Sequence, residues 1–574
     1  MKRIIGGSLT DEVTELEKSN SKISYDAAVE SFVLLKNDGC LPLKDKEVAL
    51  FGLGASHTIK GGTGSGEVNN RHSVTIYEGL KNAGFIISNE DWIKEYIEYE
   101  KKYHKDWVKK NIRMPSANSF MFTYSVPDPR AINENDFKNS NKEIAIYVVS
   151  RQSGEGLDKK IAKSDYNLKP QEINDITLLY KNFKHLVIIV NSVSSLDLSP
   201  IDDLNVSIIF YGQPGQEGGT ALADVLTGDK YFSGKLSNTW AKKYTDIPYS
   251  AEFSYLNNDL DNEYYKEGIY VGYRYFDSFK VEPRFHFGYG LTYTNFAINT
   301  IEQNINNRNI ELKVKIKNEG NYKGKEVVEV YASCPKGKLD KEYQRLVSYK
   351  KTRELDINDE DVLDISFDVE NLASYSEQDN AFILEKGDYV IKVGNASNNN
   401  EPVLVVEVKE EIVLSKHDEI LKPDNKIDEL FNDSDNDYDL SNVKRTVFDS
   451  SVIETKTFNY GKPAIYSDEK VNAILNQLTD EEMIDICTGI GSLGMMDTNN
   501  FCTPGIAGKT ASKLLNKGLL PVTLADGPAG LRIVRKTAVG KNGMIKMHKD
   551  NYLLGFMETM PSFMLAFLKP DKND

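Results

Sequence analysis

Cysteine is scarce in this sequence, and its four copies, Cys40, Cys334, Cys487 and Cys502, lie too far apart for any metal-ligand spacing. They read as reduced thiols of a protein that stays inside the cell. The seven histidines are just as scattered, so no zinc motif is indicated. Basic residues are outnumbered, and a net charge of −16 lacks the positive face that nucleic acid requires. No apolar run reaches the length of a membrane-spanning helix. Met1-Lys2-Arg3-Ile4-Ile5-Gly6-Gly7 has the basic residues of a signal peptide but no apolar region behind them. The expectation is a soluble, cytoplasmic protein that binds neither nucleic acid nor membrane.

What is present is ordinary globular material: 27% charged and 40% hydrophobic residues over 574 positions, too many for one core. After an N-terminal extension (1–25), residues 26–245 alternate strand and helix signals, which indicates a parallel sheet covered on both faces. An amphipathic helix is predicted over 26–37, with Ala28, Phe32 and Leu35 on one face. Strands are predicted at Val48–Phe51, Phe85–Ile87, from Ile144, at Leu186–Val190 and at Ile208–Tyr211. Helices are predicted over 75–83, 91–111, 171–183 and 220–226. Asp91-Trp92 falls in an amphipathic pattern and reads as packing.

The most informative stretch follows the apolar run Ile144–Val149. It is the loop Ser153-Gly154-Glu155-Gly156-Leu157-Asp158, which starts at the carboxyl end of a buried strand, where open α/β sheets bind ligands. Glycines on both sides of Glu155 hold an acid out on a bare turn, an arrangement suited to protonating a leaving group. Taken alone, the same loop also fits an ordinary polar turn. A second glycine loop, Gly61-Gly62-Thr63-Gly64-Ser65-Gly66, is followed by Glu67 where a phosphate-binding loop has lysine, so it reads as a loop lining a polar site or as a connector.

Residues 246–292 are an aromatic connector (Tyr264, Tyr265, Tyr270, Tyr273, Tyr275, Phe276), whose rings read mainly as glue between domains. From 293 to 408 the apolar period drops to two, with Ile310, Leu312, Val314 and Ile316 alternating with polar residues, which indicates an immunoglobulin-like β-sandwich. Residues 409–460 are acidic and read as a surface linker, free or partly ordered against its neighbours. In 461–574, Thr479-Asp480-Glu481-Glu482 opens a helix with a capping box. Leu519–Leu524 then reads as a buried strand running into Ala525-Asp526-Gly527-Pro528-Ala529-Gly530-Leu531-Arg532, the position at which barrel enzymes place binding acids.

Glu30–Gly39, the Gly61–Gly66 loop, Ser153–Asp158, Gly212–Gly219, Phe287–Leu291, Asn318–Tyr331 and Ala525–Arg532 together resemble the glycoside hydrolase family 3 β-glucosidases over nearly the whole chain. The resemblance implies three domains in a permuted order: the α/β sandwich first, then a fibronectin type III-like β-sandwich, then a (β/α)8 barrel. It makes Glu155 the general acid/base, Asp526 and Arg532 ligands for sugar hydroxyls, and Ser65 part of the loop that closes over the site. It implies no metal and no cofactor, because the chemistry needs two carboxyl groups and water. The family's nucleophile, an aspartate in a Ser-Asp-Trp-like motif, and its lysine-histidine pair are not found after Asp526. Too few residues follow Asp526 for a barrel of about 250.

The expectation is therefore a barrel cut short. It is a retaining β-glucosidase on terminal β-D-glucosyl residues that is inactive alone and needs the rest of the barrel from a second polypeptide or from the uncut gene. The alternative is a non-catalytic remnant or accessory carbohydrate-binding protein. A purely structural adhesin leaves the Glu155 loop and the Asp526 segment unexplained.

Overall fold

The structure is a computed structural model. It describes residues 12–547 except 64–69, 114–124, 154–160, 162–164, 254–256, 422–425, 434–437, 461–467, 489, 492–507, 511, 521, 525–536 and 540–544.

The first helix, α1 (Glu15–Ser31), starts at a capping box in which the Thr14 hydroxyl accepts from the Glu17 amide (3.2 Å) and Glu17 accepts from the Thr14 amide (2.9 Å). It ends where the sequence predicted its middle. Phe32 is extended, and β1 (Val33–Lys36) follows, so the helix predicted over 26–37 is corrected to a helix–strand junction. The reason is burial: Val33, Leu34 and Leu35 are all buried, and consecutive residues sink together only in a strand covered on both faces.

β2 (Glu47–Phe51) is followed by α2 (Ile76–Asn82), β3 (Ile86–Ile87), α3 (Glu90–Arg113) and β4 (Ile144–Arg151). Then come α4 (Pro170–Asn182), β5 (His185–Ser192), β6 (Ser207–Phe210) and α5 (Gly218–Thr227). The sheet order is β1-β6-β5-β4-β2-β3, parallel except for β1. All eight residues of β4 are buried, which explains its uninterrupted apolar run. Helices α2 and α5 approach so closely that a Cβ on Gly79 would lie 2.1 Å from the Gly219 carbonyl oxygen, hence glycine at that contact.

The chain leaves β2 for the edge strand β3 and returns on the other side of β2 as β4. This places a topological switch point between β2 and β4, and in open α/β sheets ligands bind outside the carboxyl ends of the strands at such a point.

The aromatic connector, which includes α6 (Tyr273–Ser278), packs as expected of domain glue. Tyr270 is buried with its hydroxyl donating to Asp340 (2.7 Å), and Tyr273 lies against Phe287 and Tyr331. The β-sandwich is formed by β7 (Phe296–Asn306), β8 (Asn309–Asn318), β9 (Val327–Ser333), β10 (Arg345–Lys351), β11 (Glu360–Asp368), β12 (Ser374–Ser376), β13 (Ala381–Leu384), β14 (Gly387–Ala396) and β15 (Asn399–Val408). Ile310, Leu312, Val314 and Ile316 of β8 are buried in one core with Val328, Val330, Ile391 and Leu404. Part of the predicted linker is strand. β16 (Ile412–His417) pairs with β13, β17 (Lys444–Val447) with β15 and β18 (Lys456–Phe458) with β16. Buried Ile412, Leu414 and Phe448 hold this acidic stretch to the sandwich, a signal that its charge obscured. Glu30 of α1 ties the two domains, pairing with both Lys325 and Lys351.

In 461–574, α7 (Glu469–Leu475) is followed by α8 (Asp480–Thr488), whose Thr479–Glu482 capping box is present (Glu482 amide to Thr479 hydroxyl, 3.2 Å). The predicted buried strand is observed at Val522–Leu524, but it pairs antiparallel with Gly508–Thr510. Leu520, Val522 and Leu524 are 65, 58 and 48% exposed, so its burial is corrected. Among the described residues no strand of this segment pairs in parallel. The expected partial barrel is therefore not seen in the described residues.

One acid in the sandwich is held against its nature. Burial pushes Glu329 up to about 7, while the Tyr331 hydroxyl donates to it at 2.5 Å. A raised folded-state value stabilises fully below the unfolded value and loses that contribution as pH rises through about 7. Glu329→Gln is therefore expected to raise stability at pH ~8 by on the order of 3 kcal/mol, with the gain vanishing near pH ~4. Thermal melts of both proteins at the two pH values check this, and an equal shift at both would contradict it.

Candidate functional site

At the switch point three loops leave the carboxyl edge of the sheet, after β2, β4 and β6. The first turns at Gly52 (φ 92°), where a Cβ would sit 2.3 Å from the Val148 carbonyl oxygen; only glycine allows so close a pass over β4. Buried Asn191, in β5, holds the loops together. Its Oδ1 accepts from the Ile59 amide (2.8 Å) and the Ser150 hydroxyl (3.2 Å), and its Nδ2 donates to the carbonyls of Ile59 and Gly212 (both 2.8 Å). One fully satisfied amide thus fixes the loops after β2 and β6 relative to β4 and β5.

Above Asn191 the loop stems are stitched to one another. The Thr63 amide and hydroxyl both donate to the Ser153 carbonyl (2.9 and 3.2 Å), and Gln152 Nε2 donates to the Gly61 carbonyl (3.2 Å). The Gly215 amide donates to the Lys60 carbonyl (3.0 Å), and Gln213 Nε2 reaches the Ser153 hydroxyl at 3.5 Å. The glycine loop and the glutamate loop, 90 residues apart in sequence, therefore form one structure at their bases.

The base of the glutamate loop is closed by a buried ion pair. Arg151, the last residue of β4, meets Glu172 of α4 through two bonds (Nη1 to Oε1 2.7 Å, Nη2 to Oε2 2.6 Å) and also donates to the carbonyls of Ser150 and Asn167 (both 2.9 Å). Glu172 in turn accepts from the Lys169 amide (2.7 Å), capping α4. Residues 151, 167, 169 and 172 are thus clamped around both ends of the loop.

Glu155, Ser65, Asp526 and Arg532, the site residues predicted from sequence, all lie outside the described residues. The structure places their neighbours: Ser153 and Thr63, each two positions before Glu155 and Ser65, are bonded to each other. Sequence reasoning missed Arg151, Glu172 and Asn191. Arg151 and Asn191 carried a local signal, a charged or amide residue at the end of an apolar strand run, where a polar side chain needs buried partners, whereas Glu172 lies in the first turn of α4.

A parallel α/β domain with stitched loops at its switch point, joined to a β-sandwich, is the class of protein that fold and site define. Residues 32–293 match the family model described as the glycosyl hydrolase family 3 C-terminal domain, and residues 326–397 match the fibronectin type III-like domain. The β-glucosidase of Ruminococcus albus is 31% identical over 526 residues, which cover 88% of this chain and 54% of that protein. β-Glucosidase A of Butyrivibrio fibrisolvens is 27% identical, covering 93% and 71%. Among solved structures, a β-glucosidase of Paenibacillus barengoltzii aligns with TM-score 0.72 at 27% identity, covering 93% of this chain and 59% of that one. β-Glucosidase 3B of Thermotoga neapolitana, in complex with α-D-glucose, aligns with TM-score 0.60 at 34% identity, covering 69% and 55%. This chain carries the C-terminal domain of glycosyl hydrolase family 3 followed by a fibronectin type III-like domain, and it is homologous to β-glucosidases. It spans about half the length of the Ruminococcus relative (54%).

Proposed function

We propose that this chain supplies the acid/base part of a retaining β-glucosidase site acting on terminal β-D-glucosyl residues. The observation that carries the reading is the stitching of the Ser153 and Thr63 stems over the switch point, on a domain whose relatives are β-glucosidases. Two peptide units separate Ser153 from Glu155, so chain length alone keeps the Glu155 α-carbon within about 7 Å of that of Ser153, with the carboxyl group one side-chain length beyond it. On this reading Glu155 protonates the departing oxygen and then deprotonates the attacking water, while Asp526 and Arg532 hold sugar hydroxyls and Ser65 belongs to the covering loop. Residues 461–574 are the start of a barrel. The 93% coverage of this chain by the Paenibacillus alignment supports treating this segment as part of the same architecture.

A retaining mechanism needs a second carboxylate about 5–5.5 Å from the first, as nucleophile. The motif that would carry it is not found in these 574 residues, so on this reading the rest of the barrel supplies it, in a second polypeptide or in a longer form of this chain. The test is nitrophenol release from an aryl β-D-glucoside by the purified chain, alone and mixed with the barrel domain of a relative. The expected result is silence alone and hydrolysis in the mixture. Hydrolysis by the chain alone would overturn the shared-site reading, and silence in both would favour the accessory carbohydrate-binding alternative.

A further inference from the structure

At the amino edge of the same sheet, opposite the loops described above, three potential metal ligands converge. Asp38 and Cys40 lie on the turn that follows β1, and His185 is the first residue of β5. One ligand atom from each lies within 4.8 Å of the other two. We propose that Asp38, Cys40 and His185 form a site for a divalent transition metal of the zinc class, with water in the fourth position. In sequence, 147 residues separate Asp38 from His185, so no ligand spacing announces the site.

The turn is built before any ion arrives. Asn37 Oδ1 accepts from the amides of Gly39 (2.9 Å) and Leu41 (3.4 Å), and Gly39 takes a φ of 97° that suits glycine. Asp38 Oδ1 accepts from the Cys40 amide (3.1 Å) and from the Ser207 hydroxyl (2.8 Å), which leaves Oδ2 facing His185 Nδ1 at 2.9 Å. Ser207, the first residue of β6, also accepts from the Asp38 amide (3.1 Å) and lies 3.5 Å from Cys40 Sγ. These contacts orient the carboxylate as outer-sphere partners orient metal ligands.

Zinc bonds of about 2.0–2.3 Å to oxygen, nitrogen and sulfur put tetrahedral ligands roughly 3.3–3.7 Å apart. The Asp38–His185 pair must open slightly and Cys40 must close by on the order of 1 Å, within reach of side-chain rotation. The His185 side chain is 27% exposed and opens a route to solvent for the ion and its water. Without an ion, burial pushes the Cys40 thiol up to about 12, so it is neutral. On coordination the S–H bond breaks, the proton passes to solvent, and the sulfur lone pair joins the metal. The mixed oxygen, nitrogen and sulfur set favours zinc or cobalt over magnesium or calcium, which take oxygen. A metal there ties the turn after β1 to β5 and so fastens the antiparallel edge of the sheet.

The test uses the full chain, reduced with a phosphine and freed of metal, titrated with Co2+ and followed by visible absorption. The expected result is one equivalent bound, with the intense ligand-field bands of a tetrahedral ion and a thiolate-to-cobalt charge-transfer band, both removed by Zn2+. Cys40→Ser is expected to abolish the charge-transfer band, and His185→Gln to weaken Zn2+ binding at least about tenfold. The double variant Cys487→Ser/Cys502→Ser is expected to keep both. A charge-transfer band that persists in Cys40→Ser, or is lost in the double variant, would overturn the assignment. So would a wild-type chain that binds no cobalt while its melting curve shows it folded; Asp38 and His185 would then be a hydrogen-bonded pair only.

Discussion

Glu155→Gln is expected to lower the hydrolysis of cellobiose by the reconstituted enzyme by about 10²–10⁴-fold, the range for removal of a positioned general acid. The amide matches the carboxyl in size, so the stitched stem at Ser153 and Thr63 and the fold beneath it are left alone. What disappears is the proton that cellobiose needs, because its leaving group is a sugar alkoxide. The pH profile gives a second readout. A bell-shaped profile has one limb for the nucleophile and one for the acid, and the variant is expected to lose the alkaline limb while keeping the acidic one. Initial rates on cellobiose across pH for both proteins check this, and a variant with an unchanged bell would remove Glu155 from the mechanism.

The second large effect is on stability. In Arg151→Met the Glu172 carboxylate, 12% exposed, loses a guanidinium that meets both of its oxygens, and the carbonyls of Ser150 and Asn167 lose their donors. Breaking one side of a buried ion pair costs about 3–5 kcal/mol, because the other charge stays desolvated and alone. The parallel-sheet domain is expected to melt at a clearly lower temperature, while the β-sandwich, with its own core, is expected to keep its transition. Replacing both partners by methionine is expected to recover most of the loss, since no orphan charge remains. Calorimetry of the single and double variants decides. If the single variant melts like the wild type, Arg151 does not clamp the loop.

Much of this architecture is written in hydrophobic patterning. β4 and β5 are continuous apolar runs because both of their faces are buried, and β8 alternates because one face is. β1 was misread because Val33-Leu34-Leu35 continues the apolar spacing of the preceding helix, and three residues cannot separate a period of 3.6 from full burial. The linker strands were obscured by their acidic neighbours, though Ile412, Leu414 and Phe448 carried the signal. Within the site, the glycine and glutamate loops were legible as separate motifs, but their union was not. It rests on Asn191 and on backbone bonds between Thr63 and Ser153, which depend on sheet order and leave no local trace. The Asp38–Cys40–His185 cluster was hidden for the same reason, since strands distant in sequence bring its members together.

The central claim, that the loop after β4 carries the proton donor for the departing group, is tested most directly by leaving-group dependence. Glu155→Ala in the reconstituted enzyme is compared with wild type on an alkyl β-glucoside and on a dinitrophenyl β-glucoside, whose phenolate departs without a proton. The account predicts a large loss of kcat/KM on the alkyl substrate and little loss on the dinitrophenyl one. Equal losses on both would show that Glu155 holds the sugar or the loop and donates no proton, which would contradict the account.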